Sequence, residues 1–180
     1  FDVRLFLPSI HAEQLVKEQP LAQRIGYVGM RRRILVVDNE AVDRELLVNI
    51  LSPLGFEVAQ VSSGQHCLAT VPGFLPHVIF MDLAMPGMDG WETLRRLRAG
   101  GMTDAEIAVI SANAFEKGAD NDAGIAAEDF FTKPLRVDEL LDWLGKRLNL
   151  EWIRADIPRP SAAPPGLPSP PIVLPDAERV

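Results

Sequence analysis

Apolar and polar positions follow two alternating regimes through the middle of the chain. Ile34 to Val37, Val78 to Met81 and Ile107 to Ile110 are apolar at every position and of strand length. Such runs mark strands covered on both faces, as in a parallel sheet between helices. Between them apolar residues recur at helical spacing. Val42, Leu46, Leu47, Ile50 and Leu51 predict a helix from Val42 to Leu51 with that face inward, stopped by Pro53 and Gly55. Ser63 to Val71 reads as a short second helix. Asp89 to Arg98 reads as a third, with Asp89 as N-cap and Trp91, Leu94 and Leu97 on one face. Asn113 to Ala127 is a weaker, glycine-containing helix. Val137 to Leu148 closes the series with Leu140, Leu141, Leu144 and Leu148 inward. Phe56 to Val61 and Asp129 to Lys133 supply two further strands. Strand and helix thus alternate five times between Arg33 and Leu148, which predicts an α/β fold with a doubly wound, five-stranded parallel sheet.

The flanks differ. Residues 1–8 alternate apolar and polar and end on Pro8, the pattern of a strand. Residues 9–32 read as a linker, His11 to Arg24 being compatible with either a short helix or a linker before Gly26 and Gly29 break the chain, and His11 lacks any partner motif. Eight of the 15 prolines lie between Pro158 and Pro175, so residues 150–175 read as a polyproline-type spacer and 176–180 as the start of a further element. The chain opens on Phe1 rather than Met, which suggests a piece of a longer polypeptide.

Composition narrows the options. With 180 residues, one domain of 33–149 with tails is the expected organisation, and 47% hydrophobic residues suffice for a core. A net charge of −7 argues against a nucleic-acid surface, and Arg31-Arg32-Arg33 reads as a solvated lead-in to the first strand. A single cysteine, Cys67, excludes an internal disulfide and fits a reducing compartment. Cys67 and His66 have no further ligands at zinc spacing and read as packing or surface residues. No apolar run is long enough to span a bilayer, so a cytoplasmic chain without membrane contact is expected.

The polar residues at the strand ends carry the chemistry. Strand one ends in Asp38 and Asn39, strand three in Asp82, strand four in Ser111 and strand five in Lys133. In an open α/β sheet they share the carboxyl edge, where ligands bind. A carboxylate there needs cations or donors around it. Two carboxylates and an amide oxygen suit Mg²⁺, and a hydroxyl and an ammonium can hold the oxygens of a phosphoryl group. Together these are the parts for phosphoryl transfer onto an aspartate, with Asp82 as acceptor.

The motifs Ile34-Leu-Val-Val-Asp38, Met81-Asp82-Leu-Ala-Met-Pro86-Gly-Met-Asp-Gly90, Ile110-Ser111-Ala112 and Phe130-Phe-Thr-Lys133-Pro134 resemble those of the two-component receiver domain, the phospho-acceptor module of response regulators and hybrid histidine kinases. The resemblance spans Arg33 to Leu148 and implies a flavodoxin-like (βα)5 fold. It makes Asp82 the phosphorylated residue and Asp38, Asn39, Asp82 and the Ala84 carbonyl the Mg²⁺ ligands. Ser111 becomes the hydroxyl that swings toward the phosphoryl group, Lys133 the cation paired with Asp82, and Phe130 the switch aromatic. Lys133-Pro134 is the bond family members usually hold cis. Family members usually have an acid where Asn39 stands, so weaker Mg²⁺ binding is expected here. The implied partners are a histidine kinase or a histidine phosphotransfer domain. Self-association is expected through the face of the helix at 113–127, the fifth strand and the closing helix. Residues 1–8 resemble the last strand of a histidine-kinase ATP-binding domain, implying a hybrid sensor kinase, although no kinase motif lies in this chain.

Three alternatives compete. A degenerate pseudo-receiver would dock without being phosphorylated. An aspartate-nucleophile phosphatase of the haloacid-dehalogenase type wants a second acid where Ala84 stands. A flavodoxin-like small-molecule binder wants a glycine- or hydroxyl-rich phosphate cradle that the first loop lacks.

Overall fold

The computed structural model describes residues 23–101, 104–113 and 124–155. The strand expected at 1–8, His11, most of the helix expected at 113–127, the proline-rich stretch from Pro158 and the element at 176–180 lie outside the described residues.

In chain order the elements are β1 (Arg24–Val28), β2 (Arg33–Val37), α1 (Ala41–Leu51), β3 (Glu57–Val61), α2 (Gly64–Phe74), β4 (Val78–Asp82), α3 (Gly90–Ala99), β5 (Glu106–Ser111), β6 (Phe130–Thr132), α4 (Val137–Arg147) and β7 (Glu151–Arg154). Single 3₁₀ turns follow α1 and precede β6. Five strands form one sheet in the order β3-β2-β4-β5-β6, all neighbours parallel. This is the doubly wound α/β sheet that the apolar runs predict.

The period of two along each strand divides the core into layers. Leu35, Val37, Ile79, Met81 and Val109 face α2 and α3, packing with Cys67, Val71, Leu94 and Leu97. Ile34, Val36, Val78, Phe80 and Ile110 face α1 and α4, packing with Leu47, Leu51, Leu140 and Leu144. Trp143, on α4, sits between Phe80 and Phe131, each at a centroid distance of 6.0 Å. Cys67 is fully buried and its thiol is pushed up to about 12 by that burial, so it serves as a small core residue.

Two expectations are corrected. Residues 9–32 and 150–175 are not linker throughout, because β1 and β7 pair antiparallel in a separate two-stranded ribbon. The ribbon has a reason to form. Tyr27 stacks on Phe56 at 4.6 Å, and Trp152 meets both rings edge-on at 6.3 Å. Arg24 lies over the Trp152 ring and pairs with Asp142 on α4. Gly26, read from sequence as a break, sits at the register irregularity of this ribbon. The second correction concerns α1. Val42 is 75% and Leu46 48% exposed, so the buried stripe is Leu47 and Leu51, continued by Leu54. Smaller differences are that α2 runs through Pro72 to Phe74, and that Arg33 is not simply solvated, its guanidinium donating to the Leu75 carbonyl at 2.8 Å.

Candidate phospho-acceptor site

The carboxyl edge of the sheet gathers four of the predicted residues. Val37 pairs with Met81, so Asp38 and Asp82, each one residue further on, leave adjacent strands side by side. Asp82 pairs with Ile110, and Ser111 follows at the end of β5. Ser111 pairs with Thr132, and the Lys133 N–H donates to the Ser111 carbonyl at 2.8 Å, tying the residue after β6 to the same edge. The Lys133–Pro134 peptide is cis.

Asp38, Asp82 and Ser111 are all buried. The Lys133 ammonium lies 2.9 Å from Asp38 Oδ2 and 3.4 Å from Asp82 Oδ1. Burial, then the neighbouring Asp38 charge, raises the Asp82 carboxyl above its usual value, and Lys133 and the Ala84 N–H offset this only in part. Burial draws the Lys133 ammonium down, but its bonds to Asp43 and Asp38 and the Asp82 charge outweigh that and hold it above the ordinary lysine value. The lysine is therefore a permanent cation in a pocket of carboxylates.

The loops are built to hold this edge. Asp38 Oδ1 accepts from the Glu40 N–H at 2.7 Å, and the Arg44 guanidinium donates to the Asp38 and Asn39 carbonyls at 2.6 and 3.0 Å. The first turn of α1 and the end of β2 are thereby locked together. After β4, Gly87 takes a positive φ of 80° and Asp89 caps α3 by accepting from the Glu92 N–H at 2.7 Å. Ala84 is exposed in this loop.

The Asn39 side-chain amide nitrogen donates to Glu40 Oε1 at 3.0 Å. Among the described residues, no group of three or more His, Cys, Asp or Glu converges as a metal-holding cluster. Ser111 Oγ accepts from the Asn113 N–H at 3.0 Å. Phe130 is buried in the layer with Val109 and Ile125, its ring turned inward.

One residue escaped the sequence reading. Asp43, in the first turn of α1, places Oδ2 2.5 Å from the Lys133 ammonium, closer than either strand-end aspartate. Its only signal in sequence is an acid in the first turn of the helix after strand one, which is equally an ordinary helix-dipole preference.

Residues 34–144 match the family described as the response regulator receiver domain. The DNA-binding response regulator MtrA of Mycolicibacterium paratuberculosis is 34% identical over 121 residues, 66% of this chain and 52% of that protein. The chain therefore spans about half the length of the curated relative. A response regulator receiver protein from Pseudomonas putida superposes with a TM-score of 0.59 at 26% identity, over 66% of this chain and 99% of that one. A response regulator from Chloroflexus aurantiacus gives 0.60 at 28% identity, over 67% and 99%.

Proposed function

The chain belongs to the response regulator receiver domain family, a phospho-acceptor module of two-component signalling, and on that premise we propose that Asp82 is its acceptor residue. The observation that carries this is the Asp82 carboxylate itself, buried at the end of β4 beside Asp38 and 3.4 Å from a lysine ammonium. No packing role calls for a charge there.

The donor in this reading is a phosphohistidine on a histidine kinase or a histidine phosphotransfer domain. An Asp82 oxygen attacks phosphorus, the bond from phosphorus to the imidazole nitrogen breaks, and the imidazole departs with the electron pair and takes up a proton. Lys133 balances charge on the transferred group's oxygens, and the Ser111 hydroxyl, one residue past the Asp82 partner on β5, donates to another. The donor set is all oxygen, and three carboxylates, Asp38, Asp43 and Asp82, surround the single Lys133 ammonium, a surplus of negative charge that fits a hard divalent cation. Asp38, Asp82, the Ala84 carbonyl and the Asn39 amide oxygen would hold Mg²⁺, which neutralises charge on the transferring group. With Asn39 in place of an acid and its amide nitrogen engaged by Glu40, affinity for Mg²⁺ is lower than in a site with two acids after β2.

Phosphorylation adds charge and acceptor oxygens at the sheet edge. Drawing Ser111 toward them changes the space beside Phe130, so Phe130 acts as the switch aromatic and relays the event to the face of β6 and α4. Leu46, exposed on α1 beside Leu135, Pro134 and Lys133, offers an apolar rim for the donor protein, and Val42 is exposed one turn earlier on the same helix. No helix among the described residues is long and apolar enough to cross a membrane, and a cytoplasmic setting belongs to this reading.

Intact mass after incubation with acetyl phosphate and Mg²⁺ tests it. One phosphoryl adduct on the wild type, lost when Mg²⁺ is withheld, is the expected result. No adduct on folded protein would mean a pseudo-receiver that docks without phosphorylation.

A further inference from the structure

We propose that Asp43 is a positioning residue that holds the Lys133 ammonium in a resting pose and competes for it with the phosphoryl group on Asp82. The proposal rests on the reading of Asp82 as acceptor. The order of distances carries it: Lys133 Nζ lies 2.5 Å from Asp43, 2.9 Å from Asp38 and 3.4 Å from Asp82. An ammonium has three N–H donors. Asp43 and Asp38 both accept hydrogen bonds from it, and Asp82, the residue the lysine would assist, is the farthest of the three.

The pose is enforced from both sides. Asp43 is fixed by the first turn of α1, which Arg44 fastens to the β2 loop through the Asp38 and Asn39 carbonyls. Lys133 is fixed by its own N–H on the Ser111 carbonyl. Its side-chain exposure is 25% and that of Asp43 is 35%, so the pair is partly shielded from water but not sealed. When a phosphoryl group arrives on Asp82, its oxygens extend outward from the strand end and outbid a single carboxylate in charge. Lys133 is then drawn from Asp43 toward them, and the strength lost from the Asp43 pair is subtracted from the stability of the phosphorylated state. Asp43 is thus a brake on activation, on a position that none of the strand-end motifs includes.

The test is a titration of the full chain with beryllofluoride, the phosphoryl mimic, in saturating Mg²⁺, on wild type, Asp43→Asn and Asp43→Glu, each also in a Lys133→Gln background. A partly exposed ion pair is worth roughly 0.2 to 1 kcal/mol, which converts to about 1.4- to 5-fold. Asp43→Asn should tighten beryllofluoride binding by about that factor, and Asp43→Glu should restore wild-type affinity. In the Lys133→Gln background the Asp43→Asn effect should vanish. Persistence there would reduce Asp43 to a general negative charge near an anion and overturn the proposal. So would unchanged or weaker binding by Asp43→Asn while wild type binds normally. Wild type that takes up no beryllofluoride would instead overturn the acceptor reading of Asp82, and this proposal with it.

Discussion

Gly90 stands so close beneath the end of β4 that a Cβ added to it would lie 2.4 Å from the Asp82 carbonyl oxygen and 2.8 Å from Leu83 Cα. Both neighbours are backbone, and neither can turn aside. The start of α3 and the strand end bearing Asp82 are therefore fitted to each other. Gly90→Ala should cost about 1 to 3 kcal/mol of stability. In chemical denaturation it should also depress phosphoryl uptake in the fraction that remains folded. Wild-type stability in this variant would show that α3 can retreat without disturbing the site.

Asp82→Asn should stabilise the fold at neutral pH. Burial and the Asp38 charge together raise the Asp82 carboxyl despite Lys133, so its ionisation costs folding free energy. That cost is present above the raised value and disappears below the unfolded value of 3.8. Melting temperature should therefore rise by a few degrees in the variant at pH 7, and the gap to wild type should close in acid. A variant less stable than wild type at pH 7 would mean that the Lys133 pair outweighs the repulsion.

His77 sets a second pH response, in the opposite sense. Its Nδ1 accepts from the Arg33 N–H at 3.0 Å, which requires an unprotonated nitrogen. Burial and the charges of Arg33 and Arg32 lower it below the ordinary 6.5. Its contribution to stability is full above 6.5 and is lost as pH falls through the depressed value. His77→Asn, which keeps an acceptor, should flatten that loss in melts taken from pH 7 downward. An unchanged slope would assign the acid sensitivity elsewhere.

The ribbon of β1 and β7 should stabilise the sheet it is packed on. Trp152→Ala removes ring contacts with Tyr27 and Phe56 and the surface beside Gly145, where a Cβ would come within 2.6 Å of Trp152 Nε1. For a partly buried tryptophan the expected loss is about 2 kcal/mol in urea denaturation. No measurable loss would show the ribbon to be a passive addition.

These residues also show what was legible in sequence. Strands apolar on both faces announced the parallel sheet, and the polar residues closing the three fully apolar ones located Asp38, Asp82 and Ser111, because burial leaves little other reason for them there. Lys133, after the short and partly exposed β6, was located by its place at the end of the fifth strand. The ribbon was hidden. Its strands are short, β1 contains a glycine, and each is defined by a partner more than a hundred positions away, Val28 with Glu151 and Arg24 with Arg154. Val42 and Leu46 misled because periodicity locates a helix face but not what covers it. Asp43 was hidden because a first-turn acid looks the same whether it faces water or a lysine. The inward pose of Phe130 was not legible at all, since an aromatic after a loop satisfies either orientation.

The most direct measurement is to locate the acyl phosphate chemically. After reaction with acetyl phosphate and Mg²⁺, borohydride reduces an aspartyl phosphate to homoserine, which peptide mass spectrometry assigns to a position. Homoserine at position 82 alone, and none in Asp82→Asn, is the expected result. Homoserine at position 38 or 43 in the wild type, or none at all on folded protein that carries a phosphoryl adduct, would contradict the assignment of Asp82 as the acceptor.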